Sequence, residues 1–181
     1  MTNDRTDILK LVTPSIKWEQ QYQAMVREFM ETEEPYFNNF PLALENFADF
    51  ITELEDEAAG RNLPPGISPQ NTYWTVKNEE IIVGEIRLRP TIPPPYELQS
   101  GHIGYNIRPG ERHKGYATRQ LSLVLDEARK YDLKRVMLPV RKGNEGSERA
   151  IRKNGGYVDG QSEDKESGKV TLYYWIDLNE K

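Results

Sequence analysis

The sequence predicts an α/β domain, a mixed sheet covered by helices on both faces, and three observations predict it. Apolar side chains recur at helical spacing in two N-terminal stretches. A run rich in β-branched and aromatic residues, broken by a polar turn, reads as a hairpin. From there to the C-terminus the signals alternate as strand, helix, strand, helix, strand. At 181 residues the chain fits one domain, 1–181, without internal repeats or a domain boundary.

Residues 8–12 form a short, mostly apolar run that Thr13-Pro14 ends, a first strand. Ser15 is placed to cap the helix that follows, since its hydroxyl can accept from an orphan amide of the first turn. Trp18, Tyr22, Met25 and Phe29 then mark one helical face. A second helix is expected over residues 42–59, with Leu44, Phe47, Ile51 and Leu54 inward and Gly60 as its stop. Residues 60–71, holding Pro64-Pro65-Gly66 and Pro69, are a loop. Strands 73–77 and 81–89 flank the turn Asn78-Glu79-Glu80, and Pro90 with Pro93-Pro94-Pro95 ends the second strand and stiffens the next loop. A strand at 102–108 precedes a helix marked by Leu121, Val124, Leu125 and Ala128. A buried-type strand at 135–140, a short helix at 145–153 stopped by Gly155-Gly156, and a strand at 170–178 complete the chain.

Composition excludes several functions. With 24 Lys plus Arg against 29 Asp plus Glu the chain is acidic, which argues against non-specific nucleic-acid binding, a process that depends on net basic surface. The absence of cysteine removes disulfides, thiolate nucleophiles and Cys-based metal sites. His102 and His113, the two histidines, leave little for a His-rich metal centre. No apolar run approaches the ~20 residues that cross a bilayer, and no signal peptide follows the charged N-terminus, so a soluble cytoplasmic protein is expected.

The informative segment runs from Gly101 to Thr118. A strand leads into a turn carrying Arg112, Lys114 and Gly115, and the turn leads directly into an amphipathic helix. The first amides of that helix lack intrahelical partners and carry the positive end of its dipole. Gly115 lets a ligand approach the backbone, and Ala117 keeps the first turn open. Arg108, Arg112, Lys114 and Arg119 stand there against Glu111 alone, which suits a phosphate or pyrophosphate. A solvated basic turn with a glycine that merely starts a helix fits the same residues. A Walker loop is excluded, because Tyr116-Ala117 stands where Lys-Ser/Thr is required. A Rossmann site is unsupported, because no Gly-x-Gly-x-x-Gly follows a strand.

Arg112-His113-Lys114-Gly115-Tyr116-Ala117 matches Arg/Gln-x-x-Gly-x-Gly/Ala position for position. After the next strand come Asn144-Glu145-Gly146-Ser147 and then Lys153-Asn154-Gly155-Gly156-Tyr157, an Asn-x-x-Ser helix with a Lys-x-Gly-aromatic end lengthened by one residue. Together these motifs resemble the GNAT superfamily of acyl-CoA-dependent N-acetyltransferases. The resemblance is firm over residues 73–157 and topological outside them.

The resemblance implies a central mixed, largely antiparallel sheet of six to seven strands with helices on both faces. It implies acetyl-CoA as co-substrate and no metal. Amides of residues 112–118, including Arg112, His113, Lys114, Gly115, Tyr116, Ala117 and Thr118, would hold the CoA pyrophosphate, with Arg112 and Lys114 as nearby cations. Tyr105, Asn106 and Ile107 would lie on a strand that splays from its neighbour and pairs with the pantetheine arm. Asn144 would bond the pantetheine or simply open the helix, and Ser147 would sit near the sulfur.

The chemistry is attack of a neutral amine on a thioester in a ternary complex. The ammonium must lose a proton, and the carbonyl oxygen needs a fixed donor, most simply an amide of Tyr105, Asn106 or Ile107. Glu85 and His102 are the candidate bases, against the alternatives of a solvated strand face beside Arg87 and a strand-edge histidine. His113 fits better beside the phosphates. Many members of the superfamily carry a tyrosine, as acid for the thiolate, where this chain has Ile151. Ser147 or water then supplies that proton, or the thiolate leaves unassisted.

The expected acceptor is a primary amine of a small molecule or peptide, with neither nucleic acid nor membrane as partner. It would enter beside the first two helices and the loop 90–100, walled by Tyr36, Phe37, Trp74 and Tyr96 unless these are ordinary packing aromatics. Glu31, Glu33 and Glu34 suit a cationic acceptor or a solvated loop. Tyr173, Tyr174 and Trp175 fit a homodimer contact and burial within one chain equally. The competing function is a non-catalytic acyl-CoA-binding or sensing module.

Overall fold

The first apolar stripe folds as its spacing predicts. In the computed structural model, which describes residues 7–32, 34, 37–92 and 100–178, helix α1 (Glu19–Met30) buries Tyr22, Met25, Val26 and Phe29. Ser15 precedes it in extended conformation but caps nothing with its side chain, because a 3-10 turn at Ile16–Trp18 intervenes. The helix expected over 42–59 is two helices, α2 (Phe40–Glu45) and α3 (Phe47–Ala59). Asn46 breaks it: its backbone is extended (φ −149°, ψ 94°) and its side chain accepts the Asp49 N–H at 3.2 Å. This is the N-cap conformation that asparagine favours. Gly60 ends α3 in the left-handed region (φ 70°), as expected.

Four strands form one antiparallel sheet in the order β1 (Leu9–Val12), β2 (Asn71–Lys77), β3 (Ile81–Leu88), β4 (Ile103–Ile107). Helix α4 (Tyr116–Arg129) follows β4, and helix α5 (Glu145–Lys153) follows β5 (Arg135–Arg141). A second antiparallel sheet has the order β5, β7 (Val170–Asp177), β6 (Tyr157–Glu163). The fold class is the expected one, with the strands divided between two ladders that meet at β4 and β5. Strand β6 escaped the sequence pattern. Every one of its residues is exposed, it lacks apolar alternation, and its pairing with β7 shifts register between Val158 and Gln161.

Helices α1 to α3 cover one face of the first sheet, around Trp74, Val76 and Ile82. Helices α4 and α5 cover the other side, and their core joins Ile86, Leu88 and Ile103 of the first sheet to Val136, Leu138, Val140, Tyr174 and Ile176 of the second. Burial of each such side chain contributes about 1.5–3 kcal/mol, so this shared core holds the two sheets together. Tyr173, Tyr174 and Trp175 are buried within the chain itself. Among the described residues no helix is long and apolar enough to cross a membrane.

Candidate functional site

The site begins where the sheets part. In an antiparallel ladder alternate residues bond a given neighbour. Arg108 N–H donates to the Val83 carbonyl at 2.8 Å and Glu85 stands opposite Asn106, so Ile103, Tyr105 and Ile107 turn their main-chain groups away from β3. By the same rule Met137 and Pro139 of β5 turn away from β7, since Leu178 N–H donates to Lys134. The two edges touch at one place. His102 N–H donates to the Met137 carbonyl (2.8 Å), and Met137 N–H donates to His102 Nδ1 (3.1 Å). Gly101, at φ +63°, lets this contact form, because a Cβ there would lie 2.3 Å from Pro139 Cδ. Beyond it Pro139 has no N–H to donate, which removes a bond that a ladder between β4 and β5 would use, and the two strands belong to different sheets. Pro139 is a sequence signal for the parting, set within the apolar run of a buried-type strand.

The free edge expected at Tyr105, Asn106 and Ile107 therefore narrows to Tyr105 and Ile107. Asn106 turns its main chain to β3, and its Oδ1 accepts the Glu85 N–H at 3.2 Å. The Ile107 carbonyl accepts from Arg112 Nε at 3.1 Å.

The turn after β4 makes a 3-10 turn at Pro109–Glu111, passes through His113 at φ 62°, and enters α4 from Gly115 at φ 79°. Gly115 is required by this left-handed backbone, while no atom lies within 4 Å of the position a Cβ would take. No side chain caps α4, and its first turn holds no acid. The amides of Tyr116, Ala117 and Thr118 thus face outward at the positive end of the dipole.

The expected cations are held rather than loose. Arg108 pairs with Glu28 (2.6 Å), which also accepts the Gly110 N–H (3.1 Å). Arg112 pairs with Glu34 (2.7 Å), and Lys114 with Glu111 (3.1 Å), which Lys77 also meets at 3.0 Å. Arg108 holds the Glu28 carboxyl below the usual Glu range, and Arg112 does the same for Glu34. For Glu111 burial works upward, yet Lys77 and Lys114 outweigh it and the net direction is down. Glu34 is thereby a partner of the turn rather than a lone solvated charge. Arg119 donates to the Asp7 carbonyl at 2.6 Å, and the Tyr116 hydroxyl donates to the Asp7 carboxylate. Burial, with that bond, pushes the Tyr116 phenol up to about 12. His113 and Lys114 are exposed.

Helix α5 starts differently. Asn144 is its N-cap, with Oδ1 accepting the Ser147 N–H at 3.2 Å, so the helix-opening role expected as one alternative is present. Ser147 is half-buried in the first turn, and Ile151 is fully buried. Gly156 packs on Ile151 so closely that a Cβ would lie 2.3 Å from its Cγ2. Asn154, which the sequence reading passed over, donates from Nδ2 to the Thr118 carbonyl (3.0 Å) and the Ala150 carbonyl (2.8 Å), tying α5 to the first turn of α4.

Glu85 lies on the α1 side of the sheet rather than on a solvated face. It accepts from the Tyr22 hydroxyl (2.5 Å), Trp74 Nε1 (3.1 Å) and Arg87 Nε (2.7 Å) and is fully buried. Simple alternation puts Glu85 opposite Ile82, but a bulge pairs Thr75 with Gly84 and Val76 with Ile82 and brings both to one face. Arg87 donates to Asn39 Oδ1 (2.8 Å) and lies 3.8 Å over the Phe37 ring. Burial and Glu85 push the Tyr22 phenol far up. Glu85 is closed to a substrate by its burial and its ion pair with Arg87, whereas His102 is half-buried and accepts the Met137 N–H at Nδ1. Trp74 is core rather than wall, and Tyr36 and Tyr96 lie outside the described residues.

The family described as "Acetyltransferase (GNAT) domain" matches residues 11–157. No curated protein matches the chain in sequence. Among solved structures, RimJ from Mycobacterium smegmatis in complex with CoA-disulfide superposes with TM-score 0.71 at 18% identity, over 93% of this chain and 81% of that one. RimL, a ribosomal L7/L12 alpha-N-protein acetyltransferase in complex with coenzyme A, superposes with TM-score 0.69 at 16% identity, over 94% and 96%. The microcin C7 self-immunity acetyltransferase MccE, in complex with acetyl-CoA and AMP, gives 0.67 at 14% identity, over 95% and 93%.

Proposed function

This chain belongs to the GNAT acetyltransferase family and is an acyltransferase, and from that premise we propose that it transfers an acetyl group from acetyl-CoA to a primary amine of a small molecule or peptide. One observation carries the reading: an uncapped helix start on a left-handed glycine stands beside a strand edge that its neighbour has left. The pyrophosphate binds the amides of residues 115–118, with Arg112, His113 and Lys114 around it. The pantetheine arm pairs with Tyr105 and Ile107 and meets Asn144 through its Nδ2, the half of the amide that the cap leaves over. The thioester then lies between β4 and the first turn of α5, within reach of Ser147.

The amine attacks the thioester carbon directly, and a seam-facing amide of Tyr105 or Ile107 stabilises the charge that develops on oxygen. The ammonium proton leaves to water, and Glu85 and His102 act as positioning residues that hold β3 and the seam. The reading is tested with acetyl-CoA and a pooled panel of amines, following free thiol. Amine-dependent thiol release is expected, rising toward the amine pKa near ~10. Saturable CoA binding with no amine-stimulated thiol would make the chain an acyl-CoA-binding module instead. Replacing Glu85 and His102 separately, as Glu85→Gln and His102→Gln, checks their part: a steep pH dependence lost with either one would restore it as the base.

A further inference from the structure

Several tyrosines among the described residues have hydrogen-bond acceptors. Tyr22 donates to Glu85, Tyr116 to Asp7, Tyr173 to Ser162 and Tyr174 to Glu148. Tyr105 differs. Its hydroxyl is buried and has no hydrogen-bond partner at ordinary geometry among the described residues, although the Ser147 hydroxyl lies near enough to act on it. A buried phenol without an acceptor is unusual, because the O–H normally finds one. Its ring packs against the core beneath α4 and α5, and Ser147, in the first turn of α5, is the side chain that acts on its phenol. Burial raises its pKa, and the Ser147 hydroxyl tempers the rise; no charged group acts on it.

We propose that Tyr105 is the proton donor to the departing thiolate, with the Ser147 hydroxyl beside it as its partner. The inference rests on the acetyl-CoA reading above and assigns one further atom to it. The amine nitrogen forms the new C–N bond, and the C–S bond breaks with its electron pair on sulfur. The phenol proton passes to sulfur and gives the free thiol. The phenolate regains a proton from the water that received the amine's. Burial that keeps the phenol neutral also raises the thiolate's proton affinity, so the transfer runs between two groups shifted in the same sense. An aliphatic hydroxyl such as that of Ser147 is a weaker acid than a phenol and serves better to orient than to donate. The position is one that a buried, fully apolar Ile151 on the neighbouring helix cannot fill.

The test uses the full chain, acetyl-CoA and an amine that the wild type acetylates. Tyr105→Phe should lower kcat about tenfold or more, while the KM for acetyl-CoA and the calorimetric Kd for CoA change by less than about threefold. Ring-fluorinated tyrosine at position 105, which keeps the shape and lowers the phenol pKa, should move the alkaline limb of the kcat profile to lower pH. A kcat within twofold of wild type in Tyr105→Phe, or an alkaline limb that fluorination leaves in place, overturns the assignment. Loss of kcat and of CoA affinity in parallel also overturns it, since that marks a packing role. A wild type that binds CoA and acetylates amines while Tyr105→Phe is unaffected sinks this inference alone. A wild type that binds no CoA sinks both.

Discussion

Helices α4 and α5 follow the two strands that border the seam, and they start in opposite ways. Helix α5 completes itself: Asn144 caps it, Glu145 and Glu148 lie in its first turn, and Glu148 accepts the Gly143 N–H at 3.0 Å. Helix α4 does none of this. It begins on Gly115 with no side-chain cap and no acid in its first turn, and basic residues precede it. The difference teaches which end is a device. A helix start that satisfies its own amides stabilises the fold, whereas one that leaves them outward keeps them for an anion. The cations around α4 strengthen the point, because Glu28, Glu34 and Glu111 already hold them and the amides are what is left over.

The largest effect should come from closing the open start. Gly115→Val forces a β-branched residue into the left-handed region, at about 1–2 kcal/mol, and covers the amides. CoA affinity should fall roughly tenfold to a hundredfold by calorimetry, with a melting point only a few degrees lower. An unchanged Kd would place the anion elsewhere and break the comparison. The capped start should behave in the reverse way. Asn144→Ala should cost about 1 kcal/mol of stability, read as a melting shift of roughly 2–4 °C. Asn144→Asp keeps the cap and removes only the Nδ2 donor. A melting point held with CoA affinity reduced would add a binding role to the cap.

Smaller effects concern the carboxylates that hold the turn. Glu28, Glu34 and Glu111 have folded pKa values below their ordinary 4.5. Their contribution is therefore complete above that value and lost as pH falls through the lower folded ones. The melting point should drop as pH goes below about 4.5, and a variant carrying Gln at all three positions should show a shallower drop. Glu34→Gln alone should raise CoA affinity by less than about threefold, because an exposed ion pair is worth about 0–1 kcal/mol. A fall in affinity would show that the pair builds the site rather than competing with its ligand.

The turn from Arg112 to Ala117 was legible because its function is local: a glycine, a helix start and flanking charge lie within six consecutive residues. The same locality made α1, the β2–β3 hairpin and the stop at Gly60 readable. Asn46 and Pro139 carried local signals too, one breaking a long helix and the other parting two strands, and each was masked by the apolar pattern around it. Strand β6 had no such pattern, since β7 alone makes it a strand.

By itself, then, the sequence determined the order of the elements, the apolar faces and the helix start that awaits an anion, because each depends on neighbours a few bonds away. Only the tertiary structure decided the surroundings of Glu85, Tyr105 and the basic turn. Glu85 meets Tyr22 across 63 positions of chain, Tyr105 meets the start of α5, and Arg108 meets Glu28 across 80. The protonation and reach of a side chain follow from what folding brings beside it, and a bulge of one residue in β3 was enough to move Glu85 from the α4 side of the sheet to the α1 side.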